Sequence, residues 1–129
     1  MKINIKKSLI LICFLFIPSH ASAKYSISGV YSLLEPIDCT INIKISKDKF
    51  LANINSKKIL GNVVLNNEKN NKYITFKGLK GSVPNVDIEA EYEDAMLYIQ
   101  NYGNAMNEYT RFEECSEKYL ILKKESPED

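Results

Sequence analysis

The chain has 129 residues, 17 Lys and Arg against 16 Asp and Glu, one histidine, three cysteines and no tryptophan, for a net charge of +1. That length suits one compact domain and argues against a multidomain enzyme, and a near-neutral balance denies the basic surface that nucleic-acid binding requires. The total hides a division. Residues 1–23 read as a secretory leader: Lys2, Lys6 and Lys7 make a positive start, Leu9 to Ile17 an apolar stretch, and Ala21-Ser22-Ala23 a small-residue cleavage site. Cleavage there leaves 24–129 as a single working domain, without His20 or Cys13, with 14 basic and 16 acidic side chains and a net charge of −2.

The apolar run of the leader ends at Pro18, well short of the roughly 20 helical residues that cross a bilayer. It is expected to direct export rather than to anchor. Acylation at Cys13 would want a small residue before the thiol, and Ile12 stands there. A periplasmic or secreted protein with no membrane anchor is the expectation. Two cysteines remain after cleavage, Cys39 and Cys115. In an oxidising compartment an even pair closes, so one disulfide is expected. Joining sites so far apart stabilises by about 4 to 5 kcal/mol in the chain-entropy model.

Alternation with period two recurs along the domain in short runs separated by Asn, Gly, Pro, Asp and Lys, and it predicts eight strands. The first covers 26–33. The second, 40–46, contains Thr40-Ile41-Asn42-Ile43-Lys44-Ile45, with isoleucine at every second position. Strands over 49–55, 58–66 and 72–78 follow. The sixth, 85–92, carries Asp87, Glu89, Glu91 and then Glu93 on one face and Ile88 and Ala90 on the other. The last two cover 95–101 and 118–123. Eight short strands with tight connections suit an all-β antiparallel up-and-down barrel, which removes its own exposed edges. In that topology strands two and eight both neighbour strand one and start at the same end. Cys39 and Cys115 stand just before those starts, so barrel and disulfide support each other. Ile41, Ile43, Ile45, Phe76, Ile88, Leu120 and Leu122 are expected to point inward.

The connections sort into two ends. Ser46 to Asp48, Asn67 to Asn71 and Glu93-Asp94 form short polar turns at one end. Leu34 to Cys39, Ser56-Lys57, Leu79 to Pro84 and the long stretch from Tyr102 to Glu117 lie at the other. Compact domains favour connections of about four to six residues, and longer ones are more often functional. A short helix within 105–113 is suggested by Ala105, Met106, Tyr109 and Phe112 at helical spacing.

The Gly29-Val30-Tyr31 opening of the first strand, the eight-strand meander and the disulfide tying in the last strand resemble the calycin-like barrels, the lipocalins and their shorter relatives. The lipocalin opening usually carries tryptophan where Tyr31 stands. The resemblance implies a barrel whose mouth or loops bind something, and it carries over no functional residue. The chain is also similar to small periplasmic lysozyme inhibitors, which are exported, disulfide-closed β-barrels of this size. Their inhibitory Ser-Gly-x-x-Tyr type motif is not found here: Gly81-Ser82 has the order reversed and no tyrosine follows at that spacing.

Without histidine in the working domain, catalytic triads and metal centres that need imidazole are absent, and paired cysteines remove thiolate chemistry. A carboxylate pair of the glycosidase kind is compatible with composition, yet the carboxylates of strand six share one face in the manner of a solvated edge. No glycine-rich phosphate loop occurs. Calcium could draw on Glu113, Glu114 and Glu117 with Asn104 or Asn107, but the spacing matches no known calcium loop. A non-enzymatic protein without metal or cofactor is therefore expected.

The segment from Tyr98 to Asn107 at the end of strand seven brings together two tyrosines, Tyr98 and Tyr102, a glycine, Gly103, and four amides, Gln100, Asn101, Asn104 and Asn107. Amides and tyrosines offer directed hydrogen bonds and flat contact area at modest entropy cost, a mixture enriched at recognition surfaces. The same amides could instead satisfy backbone groups of the long loop. With Asp87, Glu89, Glu91 and Glu93 able to steer a cationic partner, the sequence points to an exported protein that binds another protein, an inhibitor or immunity protein against a cell-wall-directed enzyme or toxin. The alternative is a carrier of a small apolar molecule, since an eight-stranded barrel has room for one small ligand or for packed side chains.

Overall fold

A computed structural model describes residues 26–35, 37–103 and 110–127. The leader expected over 1–23, Asn104, Asn107 and the first part of the expected helix lie outside them. Eight strands run in chain order: β1 Gly29–Leu33, β2 Ile41–Ser46, β3 Lys49–Ile54, β4 Lys57–Glu68, β5 Asn71–Lys80, β6 Asp87–Glu93, β7 Met96–Gln100 and β8 Tyr119–Lys124. Each pairs antiparallel with its neighbours, and β1 closes on β8 through Tyr31↔Lys124, Ser32↔Lys123 and Leu33↔Leu122. The protein is an all-β, closed up-and-down barrel.

The alternation read from the sequence is the alternation of burial. Ile41, Ile43 and Ile45 are buried while Asn42, Lys44 and Ser46 face outward. Ile88 and Ala90 are buried between outward Asp87, Glu89 and Glu91. The core adds Tyr31, Phe50, Ile74, Phe76, Leu79, Leu97, Ile99, Phe112, Leu120 and Leu122, all within 2% of complete burial. Inside the barrel Phe50 meets Phe76 edge to face at 5.2 Å, and Tyr31 meets Tyr92 at 6.5 Å. Tyr31 donates its hydroxyl to the Ile27 carbonyl at 2.6 Å. Burial, with Tyr92 facing it, pushes that hydroxyl above the usual phenol range.

The lower turns are two-residue links. Asp94 and Ala95 both take positive φ, 49° and 60°, the left-handed pair that matches strand twist in a tight hairpin. At the upper end Cys39 and Cys115 are bonded, with Cα atoms 5.1 Å apart. The bridge links the residues ahead of β2 and β8, the two neighbours of β1, as the topology requires. Such a disulfide is compatible with an oxidising compartment.

The strand bounds differ from the sequence reading by up to three residues, and three features of β1, β4 and β5 have physical reasons. β1 begins at Gly29, the first residue with a partner, Ile45. β4 and β5 are longer than expected because they continue pairing with each other to Glu68↔Asn71, past the last β3 partner, Lys49↔Asn62. The β5–β6 register skips from Phe76↔Ile88 to Lys80↔Asp87, an irregularity in which Gly78 takes φ 95° and Leu79 turns fully into the core. The described part of the expected helix, 110–113, is no helix: Thr110 bridges to Tyr102 and a turn follows. The amides that a helix would bond internally are taken elsewhere, since Arg111 and Phe112 N–H both donate to Asn101.

Candidate protein-binding face

The residues singled out by sequence fall into two environments. Asn101 is completely buried. Its Nδ2 donates to the carbonyls of Cys115 (2.8 Å) and Glu117 (3.0 Å), and its Oδ1 accepts from Phe112 N–H at 2.7 Å. Its backbone amide also donates to the Lys118 carbonyl. One side chain thus ties the segment around Cys115 to the top of β7, and it offers no surface to a partner. The neighbouring loops are stitched in the same way. Ser82 N–H donates to the Thr110 carbonyl at 2.8 Å, and Thr110 N–H donates to Ser82 Oγ at 3.0 Å. Gly81 lies so close that a Cβ there would press on the backbone oxygens of Thr110 and Arg111. Asp38 accepts from Ser116 N–H through both carboxylate oxygens, which lowers its pKa.

Asp87 is likewise engaged within the chain. It pairs with Lys80 at 2.6 Å and Lys77 at 3.5 Å and accepts from Gly78 N–H at 3.0 Å. The Lys80 contact first, then the Gly78 amide, hold its pKa down at about 2. The carboxylate therefore clasps the irregular stretch of β5, and its charge is offset locally.

Glu89 and Glu91 are placed differently. Pairing sets Tyr73, Glu91, Tyr98 and Ile121 side by side across β5, β6, β7 and β8, each neighbour on the outer face within about 5 Å at Cβ. Gln100 lies opposite Tyr119 in the next row, and Thr75 donates its hydroxyl to Glu89 at 3.1 Å. Glu91 makes no hydrogen bond or ion pair among the described residues. Tyr73, Glu89, Glu91, Tyr98, Gln100, Tyr119 and Ile121 line one open depression of about 590 Å³ on the outside of the barrel. Tyr119 is 63% exposed, and Leu34, whose N–H donates to the Ile121 carbonyl, extends the apolar surface towards β1. At the margin the Lys118 ammonium stands 5.5 Å from the centre of the Tyr119 ring.

No known protein family, curated protein or solved structure matches the chain. The site therefore rests on its own geometry. Of the eight residues expected to bind, the structure brings Glu89, Glu91 and Gln100 to this depression. Tyr102 is partly exposed beside it and accepts from Gln100 Nε2 at its carbonyl. Asn101 and Asp87 are engaged inside the fold, and Glu93 lies at the lower end of β6 opposite Met96. Tyr98 opened the segment singled out at the end of strand seven, whereas Tyr73, Tyr119 and Ile121 were not singled out. Their signal was available in part, since each alternates with a core residue and so must face outward, but their convergence depends on register across four strands. Glu113, Glu114 and Glu117 are exposed, and no group suited to a metal is formed among the described residues.

Proposed function

We propose that this is a non-enzymatic exported bacterial protein, calycin-like in topology, that binds a cationic protein partner through the outer face of β5–β8. The observation that carries the reading is the depression in which three tyrosines and two carboxylates converge with no basic side chain among the described residues of its lining. Tyrosine supplies rigid, amphipathic contact area, and uncompensated carboxylates draw and orient a partner of opposite charge. A buried disulfide and an expected leader suit work in the periplasm or outside the cell. An inhibitor or immunity role against a cell-wall-directed enzyme or toxin fits that setting, because such a target acts in the same compartment.

A carrier role for small apolar molecules, the other expectation for a calycin-like barrel, has less support. The space such a ligand would occupy is filled by Phe50, Phe76, Tyr31 and the surrounding isoleucines and leucines, buried to 2% exposure or less. The test is capture of partners from periplasmic extract at low salt, with Tyr98→Ala and Glu91→Lys as controls. The reading predicts a cationic protein held by the wild type, released by salt and lost in both variants. Equal recovery on all three baits would contradict it.

A further inference from the structure

Resting on the reading of this face as a protein-binding surface, we infer that its anchor is an arginine side chain of the partner, held by Glu91 between Tyr73 and Tyr98. The hydrogen-bonding character of the depression points there. Glu91 is a carboxylate with no partner among the described residues. Glu89 commits one oxygen to the Thr75 hydroxyl. Gln100 uses its amide nitrogen on the Tyr102 carbonyl at 3.3 Å, so its carbonyl oxygen is the end left to accept. Tyr98 donates its hydroxyl hydrogen to Met96 Sδ at 3.4 Å, and Tyr73 Oη accepts from Asn71. The surface thus offers chiefly acceptors, two carboxylates and the Gln100 oxygen among them, beside the hydroxyl hydrogens of Tyr73 and Tyr119 and the second amide hydrogen of Gln100. A guanidinium is the complementary group, with five donors and no acceptor.

Two further features favour arginine over lysine. The register puts a tyrosine on each side of Glu91, and a planar guanidinium stacks on aromatic rings while forking onto a carboxylate, which a compact ammonium does not. Glu91 is also half-buried, so an incoming cation must shed water, and guanidinium is the more weakly hydrated of the two. The Lys118 ammonium over the Tyr119 ring marks the edge of the same surface as already accommodating a cation on an aromatic face. Asp87, two residues before Glu89, is no competitor, because Lys77 and Lys80 occupy it.

The experiment is an NMR titration of the ¹⁵N-labelled protein with the capped tripeptide Gly-Arg-Gly and its lysine and citrulline counterparts. Citrulline keeps the shape and removes the charge. The arginine peptide is expected to shift the amides of β6 and β7 around Glu91 and Tyr98. Lysine should bind several-fold more weakly and citrulline not measurably. Glu91→Gln should weaken the arginine peptide by about tenfold, the scale of a lost charge pair, with the rest of the spectrum unchanged. Equal binding of arginine and lysine, shifts centred elsewhere, or an unaffected Glu91→Gln protein would overturn the inference. Capture of the natural partner separates the two levels. A partner lost in Tyr98→Ala but kept in Glu91→Gln overturns the arginine anchor and leaves the face standing. One kept by both overturns the face as well.

Discussion

The loop end of the barrel and the outer face of β5–β8 are built from similar residues and use them in opposite ways. At the loop end Asn101, Asp38, Ser82 and Thr110 all find partners inside the chain, and the disulfide closes over them. On the outer face Glu91 has none among the described residues, and the tyrosines beside it are partly or largely open to solvent. An amide or carboxylate is thus structural or available according to where its hydrogen bonds go, and composition alone does not distinguish the two. The contrast predicts that substitutions at the loop end change stability and substitutions on the face change binding.

The largest effect is expected at the disulfide. Replacing Cys39 and Cys115 together by serine should cost about 4 kcal/mol, with native-state strain reducing the figure, read as a lower denaturation midpoint. Asn101→Ala comes next. It leaves two carbonyls and the buried Phe112 N–H without their partner, a loss of about 3 kcal/mol at 1 to 3 kcal/mol for each unsatisfied buried group. A loss under about 0.5 kcal/mol, the ordinary range for surface substitutions, would remove Asn101 from the centre of the loop end.

Asp87 sharpens the comparison through pH. Its folded pKa, about 2, lies below the ordinary 3.8. Its contribution is therefore fully present above the unfolded pKa and is lost as pH falls from about 4 towards 2. Thermal melts of wild type and Asp87→Asn should differ at neutral pH and converge in that window; a constant difference down to pH 2 would show that the carboxylate's charge is not what clasps β5. The smallest stability effects belong to the face. Glu91→Gln and Tyr98→Ala should stay within about 0.5 kcal/mol of wild type while abolishing partner capture.

Much of the fold was legible in the sequence because one physical rule governs it. A strand with one buried face must alternate, and Ile41-Asn42-Ile43-Lys44-Ile45 or Ile88-Glu89-Ala90-Glu91 does so without interruption. Antiparallel order then placed Cys39 beside Cys115. The β5 irregularity breaks the rule visibly, since the buried set runs Ile74, Phe76, Leu79 instead of continuing to residue 78. The loop end was less legible, because the bonds that order it join Asn101 to residues 10 to 17 positions away in an aperiodic segment. Helical spacing of Tyr109 and Phe112 suggested a local answer where a longer-range one prevailed. The tyrosine face was legible residue by residue but not as a site, for only the register across four strands brings Tyr73, Glu91, Tyr98 and Ile121 into one row.

Hydrogen–deuterium exchange of the protein with and without its captured partner decides whether the outer face of β5–β8 is the binding surface. Protection is expected along β6 to β8, centred on Glu91, Tyr98 and Tyr119, with β2 to β4 unchanged. Protection concentrated on β2 to β4, with β6 to β8 exchanging as in the free protein, would contradict that placement.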